Sequence, residues 1–317
     1  MAAMTLVPDA QKVLHSVGTN RPALALPRDA CDSHMHIFDP RFAPSPHWTR
    51  QPPRAEVDAY LRLQQRLGTS RTVVVNPSTY GTDNACTLDA VARLGEQARG
   101  IAVVHHEVPD SELDALAAQR ICGLRVNFVT PQSWGVTTPG MLTTLARKVA
   151  RLGWHIQVFV HPEQLIELAP ILAQLPVPLV IDHMARIDPR DGVDGEACAT
   201  ARRLLDGGNT WMKLSGVYMR SRDGAPAYGD AFGLGRALVA AAPERLVWGS
   251  DWPHTTEAPE TVNDADLLDV LASWCGTAAM RDRILVDNPA KLYGFSSEHA
   301  GSETPIIGGR DTTRQGD

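Results

Sequence analysis

Residues 31–39 read Cys-Asp-Ser-His-Met-His-Ile-Phe-Asp, a run with histidines at positions 34 and 36. On a β-strand, side chains two residues apart project to the same face, so His34 and His36 are expected to point the same way. A doubly wound open sheet would carry a glycine-rich phosphate loop after its first strand. Here that position reads DSHMHIFD, without a glycine, which turns the reading away from such a sheet.

Outward from this segment, short β-branched runs alternate with longer amphipathic stretches. The expected strands are Cys31–Ile37, Thr72–Asn76, Gly100–His105, Gly123–Phe128, His155–Val160, Pro178–His183, Thr210–Ser215 and Arg245–Asp251. Between them, Glu56–Leu67, Asn84–Ala98, Ser111–Ala118, Met141–Leu152, Glu163–Leu175 and Phe232–Ala242 carry helical periodicity. Strands alternating with helices give βαβ units and a parallel sheet, and eight of them match a closed (β/α)8 TIM barrel, an α/β fold of one domain. The expected organisation is an N-terminal extension over 1–27, the barrel over 28–295, and a flexible Gly/Ser/Thr-rich tail over 296–317.

Polar residues reinforce the barrel. The apolar runs end in His34 and His36, Asn76, His105, Arg125 and Asn127, His161, Asp182 and His183, Lys213 and Ser215, and Asp251. In a barrel these C-terminal strand ends form one mouth, where active sites sit.

Composition removes other classes of function. With 44% apolar and 21% charged residues, the chain reads as an ordinary globular protein rather than a disordered or fibrous one. Thirty Lys+Arg against 36 Asp+Glu give a net charge of −6 without a basic run, which argues against a nucleic-acid partner. No stretch approaches the roughly 20 apolar residues of a membrane helix, and the start lacks a signal-peptide core. The five cysteines are widely spaced with no CxxC pair, so a cytoplasmic protein without a cysteine metal site is expected. A homo-oligomer stays open.

Three segments carry the chemistry: the His34–His36 pair, Val180-Ile-Asp-His183, and Trp248-Gly-Ser-Asp251-Trp-Pro-His254. Asp251, flanked by tryptophans, is expected to feel desolvation, which raises a carboxyl pKa and suits it to proton transfer. Two histidines, a third histidine and an aspartate are also a plausible donor set for zinc or manganese.

These motifs together resemble the amidohydrolase superfamily, in its amidohydrolase-related family 2. Within it, DSHMHIFDP, NPSTYGTDN, GLRVNFV, LGWHIQVF, VIDHMAR, RLVWGSDWPH and VDNPAKLYGF resemble the branch of lactone hydrolases that handles 2-pyrone-4,6-dicarboxylate and sugar-acid lactones. The likeness spans about 28–295 and implies a hydrolase opening a small carboxylated lactone in the catabolism of aromatic or sugar acids. It implies Asp251 as the general base, with His34, His36 and His183 either acting on the carbonyl directly or, with Asp251, holding one divalent ion. It further implies Arg125 as a carboxylate contact, Ser78, Tyr80 and Asn127 as hydrogen-bonding groups, and His254 beside the centre.

The chain departs from the dicarboxylate lactonases. Pro131 and Met219 stand where they have arginines, and Phe159 stands where they have a tyrosine. That puts the dicarboxylate in doubt. The segment Lys213–Ser221 looks more like the sugar-acid branch, with Tyr218 or Arg220 as a substitute contact. A lactone isomerase, a metal-dependent decarboxylase and a non-catalytic binder of small acids are the alternatives.

Overall fold

Runs such as Thr72-Val-Val-Val75 have no polar face, the pattern of a strand covered on both sides. In the computed structural model, which describes residues 12–296, these runs form eight strands. They are β1 (Cys31–Met35), β2 (Arg71–Val75), β3 (Ala98–Ala102), β4 (Ile121–Asn127), β5 (His155–Phe159), β6 (Leu179–Ile181), β7 (Thr210–Leu214) and β8 (Leu246–Trp248). Every sequential pair is parallel, in the order β1 to β8. Beyond the short last strand, Asp251 N donates to His34 O at 2.7 Å and His36 N to Trp252 O at 2.8 Å. These bonds join β8 back to β1, so the sheet curls into the expected (β/α)8 barrel.

The outer layer is α1 (Val57–Leu67), α2 (Ala85–Leu94), α3 (Asp110–Ala117), α4 (Pro139–Ala150), α5 (Pro162–Leu172), α6 (Glu196–Asp206), α7 (Phe232–Ala241) and α8 (Asp264–Cys275). Each buries an apolar stripe against the strands, as with Tyr60, Leu63 and Leu67 on α1. Two shorter helices follow, Ala278–Asp282 and Asn288–Tyr293. Tyr293 and Phe295 then pack with Cys31, Val73, Ile101 and Trp211. The barrel interior is therefore a packed core below and a polar chamber above. Gly123 is required by that packing, because a Cβ there would lie 2.6 Å from the His155 ring.

All eight expected strands end one to three residues early, and at two of them this moves site residues. β6 stops at Ile181 and β8 at Trp248, so Asp182, His183 and Asp251 stand beyond the ladder instead of within it. The reason is backbone conformation: His183 has φ 50° and Asp251 φ 61°, which no β-ladder accommodates. The first strand is irregular between Asp32 and Met35. That irregularity separates neighbours of the same parity: Asp32 accepts from Tyr60 on α1 at 3.0 Å, while His34 faces Lys213 on β7.

Residues 12–18 lie against the barrel mouth. Trp252 Nε1 donates to Leu14 O at 2.8 Å, and Arg66 to Gly18 O at 2.8 Å. The tail expected over 296–317 falls outside the described residues apart from Ser296. No described helix is long and apolar enough to cross a membrane.

Candidate active site

The same-face expectation for the histidine pair holds: His34 Nε2 and His36 Nε2 are 3.3 Å apart. Asp251 Oδ1 lies 3.6 Å from His34 Nε2, 3.5 Å from His36 Nε2 and 3.7 Å from His183 Nε2. Three imidazole nitrogens and one carboxylate oxygen thus converge from β1, β6 and β8, and all four residues are buried.

Each ring is held from behind. His36 Nδ1 is 2.7 Å from Val75 O; a carbonyl only accepts, so this nitrogen carries hydrogen, and in the neutral ring Nε2 presents its lone pair. His183 Nδ1 is 2.8 Å from Ser215 Oγ. His34 Nδ1 sits between Lys213 Nζ at 3.0 Å and Asp182 Oδ1 at 3.4 Å.

His183 reaches the cluster through an unusual turn. His183, Met184, Ala185 and Arg186 all have positive φ, between 50° and 54°, and none is glycine. A left-handed conformation costs such residues about 1 kcal/mol each, so the surrounding packing must hold the turn in place. The same turn delivers Arg186 to the pocket wall.

Beneath the histidines lies a buried polar layer. Lys213 Nζ contacts Gln157 Oε1 at 2.6 Å and Asp182 Oδ1 at 3.5 Å. Arg125 Nε and Gln157 Nε2 donate to Asp182 Oδ2 at 3.2 and 3.1 Å. Burial lowers the Lys213 pKa to about 8, with Asp182 opposing that shift. Burial pushes the Asp182 carboxyl up, but Lys213, His34 and Arg125 outweigh it and hold it well below its usual value.

Asp251 behaves the same way, contrary to the expected raised pKa. Burial raises it, yet the surrounding histidines outweigh burial and keep the carboxyl ionised. The tryptophans supply no dry pocket for it: Trp248 and Trp252 are core residues, and Tyr218 OH donates to Asp251 Oδ2 at 2.6 Å. Burial is the first cause lowering both His34 and His183; Lys213 adds to it at His34, while Asp251 opposes it at His183.

Three donors, from His34, His36 and Asp251, lie close enough together to fit one divalent ion. Donors about 2.1 Å from a tetrahedral centre stand about 3.4 Å apart. The distances of 3.3–3.6 Å among His34, His36 and Asp251 agree with that spacing, and His183 Nε2 approaches the same Asp251 oxygen at 3.7 Å. His34, Asp182 and His183 form a second group of donors within reach of one another.

Above this floor, a pocket is lined by Ser78, Arg125, Asn127, Phe159 and Arg186, with Trp48 and Thr255 at its rim. Asn127 Nδ2 donates to Ser78 Oγ at 3.0 Å, linking the ends of β4 and β2. Other anticipated residues sit elsewhere. Tyr80 is buried, and its hydroxyl accepts from Asp39 N at 3.1 Å. Tyr218 spends its hydroxyl hydrogen on Asp251, and His254 lies behind it, 3.2 Å from Tyr218 OH and 3.2 Å from Asp264 Oδ2. Arg220 stands 3.6 Å from Asp188. His161 caps α5, and His105 lies 3.4 Å from Glu107 outside this pocket.

Arg186 and Gln157 are the site residues that sequence reading missed. Gln157 lies directly opposite Arg125 in the β4–β5 register, a relationship readable once the strands are aligned. The left-handed turn behind Arg186 has no glycine to announce it.

A histidine–aspartate cluster at the C-terminal mouth of a (β/α)8 barrel defines a class of hydrolytic barrel enzymes. The amidohydrolase family profile matches residues 31–295, and the chain belongs to that family. It is 34% identical to a 4-sulfomuconolactone hydrolase of Rhizobium radiobacter over 277 residues, 86% of this chain and 92% of that one. It is 30% identical to a D-galactarolactone isomerase of Agrobacterium fabrum, covering 90% of this chain and 98% of the relative. A crystal structure of a probable 2-pyrone-4,6-dicarboxylic acid hydrolase from Acinetobacter baumannii superposes with TM-score 0.71 at 28% identity, covering 84% of this chain and all of that one. The chain is thus a hydrolase-family barrel whose relatives act on lactones.

Proposed function

We propose that the protein hydrolyses a small carboxylated lactone, with Asp251 as general base. The observation that carries this reading is the approach of three imidazole nitrogens to a single oxygen of Asp251, at 3.5–3.7 Å. Such a centre suits a water beside a carboxylate, with His36 Nε2 as an acceptor and the other two imidazoles facing the same point. Asp251 Oδ1 takes a proton as the water oxygen attacks the lactone carbonyl. The negative charge that develops on the carbonyl oxygen is met by His34 and His183, with hydrogen on Nε2, in a water-poor floor where each donor counts for more than in bulk water. Collapse breaks the ring C–O bond, and Asp251 returns its proton to the leaving alkoxide. The products are a hydroxyl group and a new carboxylic acid on one chain.

A zinc or manganese ion bound by His34, His36, His183 and Asp251 would polarise the carbonyl and lower the pKa of its water. Arg125 keeps its outer guanidinium nitrogens for a substrate carboxylate, since its Nε is engaged by Asp182. Ser78 offers its hydroxyl hydrogen, and Asn127, on the same face of β4 as Arg125, holds Ser78 in place. We place the enzyme in the cytoplasm, in keeping with five free cysteines.

The isomerase relative supports a second reading, in which a substrate hydroxyl replaces water and the lactone moves to another ring position. One experiment separates the two. The protein is mixed with 4-sulfomuconolactone, 2-pyrone-4,6-dicarboxylate and D-galactarolactone, with proton release followed by indicator and products by NMR. Hydrolysis releases one proton per turnover near neutral pH. A product that retains a lactone carbonyl without acidification overturns it in favour of isomerisation, and silence across the panel overturns both.

A further inference from the structure

The end of the barrel opposite the histidines holds a second cavity, of about 580 Å³, with three arginines in its wall. Arg71 opens β2, Arg99 is the second residue of β3, and Arg120 stands just before β4. All three therefore sit at the N-terminal ends of strands, whereas the mouth is built from the C-terminal ends. A five-residue strand such as β2 spans about 16 Å, which sets this base apart from the reaction centre. Asp29 and Glu96 are the carboxylates of the lining.

The three cations are unequally neutralised. Arg71 is buried and lies 3.5 Å from Asp29. Its Nε donates to Gln97 Oε1 at 3.4 Å and its Nη2 to Ser296 O at 2.7 Å. Arg99, half-buried, bonds only carbonyls: Nη1 to Glu96 O and Ala98 O at 2.9 Å, and Nη2 to Gly294 O at 2.7 Å. Both guanidinium groups rest on Phe295, with Cζ 5.3 and 4.5 Å from the ring centroid. Among the described residues no ion pair joins Arg99 or the exposed Arg120. With Asp29 taken by Arg71, Glu96 is the carboxylate left in the lining against those two cations. Burial lowers the Arg99 pKa; Cys122 opposes this, while Arg120 and Arg71 add to it. Clamping Gly294 and Ser296 occupies part of the donors of Arg71 and Arg99 and none of Arg120. Like charges gathered round a partly dry cavity are costly unless an anion is brought between them.

We propose that this basal cavity binds a small multivalent oxyanion, a phosphate ester or a polycarboxylate, between Arg71, Arg99 and Arg120. Planar guanidinium forks suit such groups, which accept paired hydrogen bonds. The volume matches a metabolite-sized ligand rather than a bare ion. A ligand there also braces the end of the barrel chain, because the same arginines hold Gly294 O and Ser296 O. The site is separate from the lactone pocket and stands whatever substrate that pocket takes.

Pyrophosphate and propane-1,2,3-tricarboxylate are titrated into the full-length protein by calorimetry. Sodium chloride holds the ionic strength at about 0.15 M, where exposed charges more than about 8 Å away are screened. Wild type is expected to bind at least one of the two anions with a Kd below about 1 mM. Arg120→Glu, at an exposed position, is expected to weaken that binding about tenfold or more. Arg99→Gln, which removes the half-buried cation, should weaken it to a similar extent. Arg120→Glu carries the test alone if Arg99→Gln does not fold. A preference for pyrophosphate assigns a phosphate ligand, and a preference for the tricarboxylate assigns a polycarboxylate. No binding of either anion by wild type, or unchanged binding in either folded variant, overturns the proposal. Anions held at the mouth give the second of these results, because both substitutions lie at the other end of the barrel.

Discussion

Lys213 Nζ lies 3.0 Å from His34 Nδ1, on the side of the ring away from Asp251. Asp182 Oδ1 stands 3.4 Å from the same nitrogen. The ring therefore has two ways to be satisfied. When Lys213 donates to Nδ1, the ring proton sits on Nε2 and faces the reaction centre as a donor. When Nδ1–H donates to Asp182, Nε2 faces the centre with its lone pair, ready for a metal ion. The polar layer under the histidines thus sets the chemistry available to them.

That layer is expected to be indispensable to the fold. Lys213→Met leaves Gln157 and Asp182 buried with a lost partner, and breaking a buried ion network from one side costs about 3–5 kcal/mol. Urea unfolding of the variant beside wild type measures the loss. A difference below about 1 kcal/mol would show that Arg125 and Gln157 satisfy Asp182 on their own.

A divalent ion at the His34–His36–Asp251 centre should stabilise the native state, because the unfolded chain cannot hold the donors together. At a hundredfold excess over its Kd the gain is about 2.7 kcal/mol. The protein is treated with chelator and melted with and without zinc or manganese. The thermal midpoint is expected to rise in wild type and to stay fixed in His36→Gln. Identical midpoints in wild type with and without the ions would leave the imidazoles to act directly.

Tyr218 OH, 2.6 Å from Asp251 Oδ2, leaves only Oδ1 directed at the histidines. Hydrogen bonds to charged groups contribute about 1.5–3 kcal/mol. Tyr218→Phe should accordingly lower kcat by about ten- to a hundredfold with little change in KM. A rise in KM at constant kcat would instead assign the tyrosine to substrate binding.

The eight strands were legible because buried parallel strands are continuous apolar runs, and the mouth was legible because chemically useful residues ended nearly all of them. His34, His36, His183 and Asp251 came from motif and parity. What the sequence hides is backbone conformation without glycine. Nothing in Asp182-His-Met-Ala-Arg186 announces four left-handed residues, so the placement of Arg186 was unreadable. Side-chain direction beyond a strand end was equally hidden. Tyr80, Tyr218 and His254 have the right chemistry, yet Asp39, Asp251 and Asp264 claim their polar atoms.

Stability should fall on acidification, in part through a histidine remote from the mouth. Burial lowers His155 to about 3. The unfolded value is near 6.5, so between those limits the unfolded chain binds one more proton than the native state. Unfolding free energy then drops by about 1.4 kcal/mol per pH unit from this group as pH falls. His155→Phe keeps a ring beside Tyr293 and removes the titration. The slope of stability against pH between 6.5 and 5 is expected to be smaller in the variant by that amount. Equal slopes would mean that His155 titrates alike in both states.

The most direct test is Asp251→Asn, assayed by proton release on a lactone that wild type opens. The amide keeps the shape of the side chain and accepts no proton at neutral pH. Turnover is expected to fall by about 10²–10⁴-fold, with the circular dichroism spectrum and melting cooperativity preserved. A folded Asp251→Asn protein that opens the lactone at the wild-type rate would contradict Asp251 as the base.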